Sequence, residues 1–247
     1  IGAQLEAAGV EPASFTEAGL KGVSKDGKVY GLPFDTWAPL WHINLNYFRA
    51  AGLMKDGKPL LPTSPEELLD QARQFKRATG KPYFVQALTN ERAAYARNLY
   101  TYLMQQNAEF FAGPQRIRLQ TPQARRVLAL FKQIYDEDLT TKNQDYAAAT
   151  KGFMNGQGGV YLVGTWLIGD FYAQSRQPDR PLTDGYTVVT YPQLFSGRDA
   201  TFADGHAWVV PTKKRTAQQR EAVVAFLAFM AEHDLEWART GHLPAFE

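Results

Sequence analysis

The sequence contains no cysteine. That excludes disulfides, thiolate metal sites and cysteine nucleophiles. It leaves the compartment open, because large domains do without disulfides in any environment. Histidine is scarce. The four residues, at 42, 206, 233 and 242, show no metal-binding spacing such as H-E-x-x-H, so neither a metal site nor a cofactor is expected. Long apolar runs are missing as well: stretches such as 160–163 and 208–210 are far too short to cross a bilayer. No segment combines a basic start, an apolar middle and a small-residue cleavage site, as a signal peptide does. Charge of one sign is also lacking, with a formal net charge of +2. The basic clusters Arg125-Arg126 and Lys213-Lys214-Arg215 carry no interleaved aromatics and read as solvated faces, so no nucleic-acid partner is expected. Walker, Rossmann and G-x-S-x-G motifs are absent. Gly156-Gln157-Gly158-Gly159 lacks the Lys-Ser/Thr that would hold a phosphate and reads as a turn.

What is present is an ordinary globular balance over 247 residues, with punctuated helices and short strands. Ser64-Pro65-Glu66-Glu67 has the form of a capping box with proline at the first helical position. An apolar stripe of Leu68, Leu69, Ala72 and Phe75 follows, and Gly80 ends it. Thr121-Pro122 opens a second helix carrying Leu128, Phe131 and Tyr135. Thr216 and Gln219 open another, before Val223, Phe226, Leu227 and Met230. A helix holding Tyr95, Leu99, Tyr102 and Leu103 lies between them. Strands are predicted over 28–32, 40–45, 83–87, 159–163, 186–191 and 206–210. Helices and strands alternate, which predicts an α/β fold. The first twenty residues offer one weak helical segment and no opening strand, and the last seven form a loop. The chain is therefore expected to be the middle of a longer protein, incomplete at both termini.

Aromatic residues make up 13% of the chain, with five tryptophans. Several sit beside polar groups at the ends of predicted elements. Trp37 follows Asp35, Trp166 follows the strand ending near Val163, and His206 and Trp208 follow Asp204-Gly205. A sugar presents apolar C–H faces and a rim of hydroxyls, which suits an aromatic plate flanked by carboxylates or amides. The competing reading is burial, since tryptophan is more often core than plate. Trp208 alternates with Val210 on a predicted strand, and His42 lies inside one; both fit core positions.

At these residues the sequence resembles the extracellular solute-binding proteins of carbohydrate ABC transporters, the group that includes maltose-binding and glycerol-phosphate-binding proteins. Gly27-Lys28-Val29-Tyr30-Gly31-Leu32-Pro33, then Asn44 and Tyr47-Phe48, is similar to the family's "GK-YG-P … N-x-x-x-F". Pro62-Thr63-Ser64-Pro65-Glu66-Glu67 resembles "P-x-T-W-x-E", with Ser-Pro for Thr-Trp. The run from Phe153 to Trp166 resembles "F-x-x-G-x-x-A-M-x-x-x-G-x-W". Asp204-Gly205-His206 through Pro211, the helix from Thr216 and Gly241-His242-Leu243-Pro244-Ala245 resemble "G-G-x-x-x-x-I-P … A-x-x-F-x-x-F … G-x-L-P-A-R". Asp204 replaces a glycine, and Phe246 stands where an arginine often does.

The resemblance covers nearly the whole chain. It implies a two-lobed periplasmic-binding-protein fold of type II. Residues 1–34 and 197–247 would be parts of lobe 1, and 35–196 lobe 2, with hinge crossovers near 33–38 and 192–200. It implies capture of a di- or oligosaccharide of maltose or trehalose type in an interlobe cleft. Delivery is then to a membrane ABC permease by a monomeric periplasmic or extracellular protein without enzymatic activity. The implied ligand-binding residues are Asp35, Trp37, Asn90, Glu91, Trp166, Gly205 and His206. Asp35 would accept sugar hydroxyls, Trp37 and Trp166 would stack, and Gly205 would offer its N–H. Two rivals stay open. One is a secreted carbohydrate-active hydrolase, which needs two carboxylates about 5–10 Å apart. The other is a glycerol-phosphate-type polyol binder, which needs arginine at the ligand.

Overall fold

A computed structural model describes residues 1–246. Helix boundaries follow the capping chemistry. Ser64 Oγ accepts the Glu67 N–H at 3.1 Å, Pro65 takes the first position of the helix Pro65–Thr79, and Gly80 closes it with φ of 68°. The box is not reciprocal at this helix. The Glu67 carboxylate takes the N–H and hydroxyl of Thr63 instead, both at 2.8 Å, and these bonds hold its carboxyl below the usual range. At Thr216 both halves of the box form, on the helix Ala217–Glu232. Thr121 caps Pro122–Asp136 through the Ala124 N–H.

The chain divides into two compact units. One comprises Ile1–Ala38 and the residues from Ala203 onward; the other is Pro39–Phe202. These boundaries differ from the expected ones near 34 and 197, and the hydrogen bonds say why. Asp35–Thr36 pairs with Leu243–Pro244, and Trp37 bridges Asp204, so Asp35 and Trp37 belong to the first unit. At the other crossover the Gly197 N–H binds the Gln105 carbonyl at 2.7 Å, and the Phe202 N–H binds Thr101 Oγ1 at 3.0 Å. Both hold 197–202 to the second unit.

The second unit is built on a four-stranded mixed sheet. Its spatial order is Tyr186–Val189, Pro39–Asn44, Val160–Gly164, Phe84–Val85, and only the last pair is parallel. Period-two alternation assigns the faces. Trp41, Ile43 and Val160 face one apolar layer with Phe48, Leu68, Phe75 and Tyr83. Tyr161 and Val163 face the other, with Phe153, Phe171 and Leu182. Helices cover both faces, which is why these strands read as nearly continuous apolar runs. His42 sits among them, fully buried. One ring nitrogen meets the Tyr186 hydroxyl at 2.7 Å and the other the Val163 carbonyl at 3.2 Å.

The first unit has smaller sheets. The strand predicted over 28–32 splits between two partners: Lys28–Val29 pairs with Ser24–Lys25, and Gly31–Pro33 pairs with Ala207–Val209. Leu5, Val10, Phe15, Leu32, Leu227, Ala231 and Ala245 form its core. Trp208 is on its surface at 36% exposure, against the core position its alternation predicts. Trp208 pairs with Leu32 and so shares its face of the strands, but its ring rests against Phe34 and Phe226 at 5.5 and 5.7 Å, and Phe226 is itself exposed, which leaves the indole at the rim of the core.

Candidate functional site

In the first unit the predicted residues Asp35, Trp37, Gly205 and His206 meet at one end of the short strands. The close approach is made possible by glycine: a Cβ on Gly205 would come within 2.3 Å of the Asp35 carbonyl oxygen. The His206 N–H donates to Asp35 Oδ1 at 2.9 Å, and its ring Nδ1 lies 2.8 and 2.9 Å from the two carboxylate oxygens. Trp237 Nε1 donates to Oδ2 at 2.8 Å. The Asp35 side chain is therefore wholly enclosed, while that of His206 is 57% exposed. His242 completes the group, its ring 5.8 Å from that of His206 and stacked on Trp237. Burial lowers the His242 pKa, partly countered by the Asp35 charge.

Three expected roles change on this geometry. Asp35 already binds His206 and Trp237 through its two oxygens, so it orients His206 rather than standing open to a sugar hydroxyl. Trp37 is buried at 5% exposure rather than standing as an open plate. The Gly205 N–H is taken by the Asp204 carboxylate at 2.8 Å. His206 is the member that faces outward.

The second unit gathers Glu91 and Trp166 into one concavity, with Arg97, Asn98, Tyr146 and Gly164 among its lining residues. Trp166 follows the strand Val160–Gly164 on the short turn Thr165–Leu167. Its indole folds back over Gly164, where a Cβ would lie 2.0 Å from the ring. Its Nε1–H donates to the Tyr146 hydroxyl at 2.7 Å. The ring is half-buried, held on one edge and backed by glycine. Glu91 opens the helix Arg92–Met104 without capping it through its side chain. Asn90, next to it, is exposed and is not among the residues lining the concavity.

Sequence reading missed Tyr146, Arg97, Trp237 and His242. Tyr146 was legible only as the residue after Asp145, which caps the helix Tyr146–Met154 by accepting the Ala148 N–H. Nothing local linked it to Trp166. His242 appeared within Gly241-His242-Leu243-Pro244-Ala245, but its neighbours Asp35 and His206 are remote in sequence.

The profile of bacterial extracellular solute-binding proteins matches residues 3–247. The chain belongs to this family. A search of curated proteins returned no significant match. Among solved structures, maltose-bound MalE3 of T. maritima superposes with a TM-score of 0.81 at 18% identity, covering 100% of this chain and 62% of that one. UgpB from Mycobacterium tuberculosis, in complex with glycerophosphocholine, gives 0.78 at 15% identity, covering 99% and 60%. The galacto-N-biose-/lacto-N-biose I-binding protein of the ABC transporter from Bifidobacterium longum gives 0.74 at 17%, covering 100% and 58%. The chain thus spans about 60% of the length of these structures. The fold of this solute-binding protein is the two-lobed α/β fold of periplasmic binding proteins. No described helix is long and apolar enough to cross a membrane.

Proposed function

We propose that this solute-binding protein captures a di- or oligosaccharide and delivers it to a membrane ABC permease, acting as a periplasmic or extracellular monomer without covalent chemistry. The observation that carries the reading is the Trp166 concavity. A pyranose ring needs an apolar plate with polar groups at its edge. Here the plate is an indole fixed by Tyr146 and Gly164, and the edge carries Glu91, Arg97 and Asn98. Glu91 accepts sugar hydroxyls as a charge-assisted acceptor. In the first unit His206, aligned by Asp35, contributes a further polar contact. The maltose and lacto-N-biose I named for two structural neighbours fit a saccharide of this size class. The segments joining the two units serve as hinges in this reading.

A second reading has one observation in its favour. Arg97 lines the same concavity, and a phosphorylated polyol needs a cation there. UgpB, with its glycerophosphocholine, stands among the neighbours. Thermal-shift screening against neutral saccharides and glycerophosphodiesters separates the two. A ligand at 100 times its Kd stabilises by about 2.7 kcal/mol, so a stabilising saccharide with inert phosphodiesters supports sugar capture, and the reverse pattern rejects it.

A further inference from the structure

Asp35, His206 and His242 converge from three separate stretches of the chain. One carboxylate oxygen and one ring nitrogen from each histidine all lie within 4.8 Å of one another. The carboxylate is enclosed and His206 is exposed, so the cluster opens to solvent on the His206 side. Two features suit this set to a metal ion. Among the described residues the one ion-pair partner of Asp35 is His206, which is charged only when protonated. An enclosed carboxylate so placed gains from a nearby cation. The donors are also already oriented by other groups. Trp237 Nε1 and the His206 N–H donate to Asp35 at 2.8 and 2.9 Å, and the Thr240 hydroxyl engages His242 Nδ1 at 2.6 Å. Outer hydrogen bonds of this kind fix carboxylate and imidazole ligands around metals.

We infer that Asp35, His206 and His242 form a binding site for a divalent first-row transition-metal ion, with zinc as the reference ion. Two imidazoles and one carboxylate favour zinc, nickel or copper, whereas magnesium and calcium take oxygen donors. Three protein ligands leave a tetrahedral ion one position for water, on the open side of the cluster. The site shares Asp35 and His206 with the carbohydrate reading, but its test uses no saccharide and so stands or falls apart from it.

The test is a calorimetric titration of the full chain, treated with chelator and then dialysed, with zinc chloride, and with magnesium chloride for comparison. His206→Ala and His242→Gln are titrated in parallel, with circular dichroism to check the fold of each. His206→Ala trims an exposed side chain and leaves the core intact. The expected result is saturable uptake of one zinc per chain, no magnesium uptake, and affinity at least about 100-fold weaker in His206→Ala. A loss of that size exceeds most outer-shell substitutions, which cost roughly 10–100-fold. No saturable zinc uptake by the unmodified chain, or unchanged uptake in folded His206→Ala, overturns the inference.

Discussion

Trp166→Ala is expected to weaken saccharide binding by about 1–3 kcal/mol, by analogy with stacking on other flat ligands, or roughly five- to hundredfold in Kd. Its cost in stability should stay below the roughly 3–5 kcal/mol of a truncated core tryptophan, because the ring is half-buried. Titration calorimetry and urea unfolding of the same variant read both quantities; intact affinity with a large stability loss would make Trp166 core. Asp35→Asn turns an amide N–H₂ toward the donors of His206 or Trp237, and should destabilise by about 1–3 kcal/mol in the same unfolding assay. His42 gives a pH dependence. Burial lowers its pKa from 6.5 to about 4, against two weaker backbone hydrogen bonds that raise it. The unfolded chain therefore binds the extra proton between these values. The stability is fully present above pH 6.5 and is lost as pH falls toward 4, by up to about 3 kcal/mol. His42→Gln should flatten the urea-unfolding profile across that window; an unchanged slope would place the titration elsewhere. At the scale of residues the site is only partly legible in the sequence. Types and positions marked Asp35, His206, Glu91 and Trp166, but which atoms face outward depends on partners such as Trp237 and Tyr146 that lie far away in sequence.

At the scale of elements, the turn after the strand Val160–Gly164 positions the site. Gly164→Ala drives a methyl into the indole, which must swing away from Tyr146. Saccharide affinity should fall about as far as in Trp166→Ala, with a shift in tryptophan emission that marks the moved ring. Unchanged affinity and emission would show that the indole is not held by this contact. Helices were well legible here because their ends are written locally: Ser64, Thr121 and Thr216 each accept the expected N–H. Strands were legible as apolar runs, but their partners were not. The break at Tyr30 comes from the pairing of Gly31–Pro33 with Ala207–Val209, a contact of long sequence separation, and the exposure of Trp208 from its place against the exposed Phe226 ring. The shift of both unit boundaries has the same origin, in hydrogen bonds that Asp35, Thr36 and Gly197 make to remote strands and loops.

For the whole molecule, the family was legible because several weak motifs recur in order along nearly the entire chain, and the profile match over residues 3–247 bears that resemblance out. The ligand was not legible, since sugar identity depends on side-chain placement at a few positions rather than on motif order. The measurement that tests the central claim most directly is titration calorimetry of the purified chain against a panel of di- and oligosaccharides, with the saccharide recovered afterwards. The expected result is one saturating site for at least one saccharide, returned chemically unchanged. Absence of saturable binding to every saccharide, or recovery of cleaved product, would contradict it.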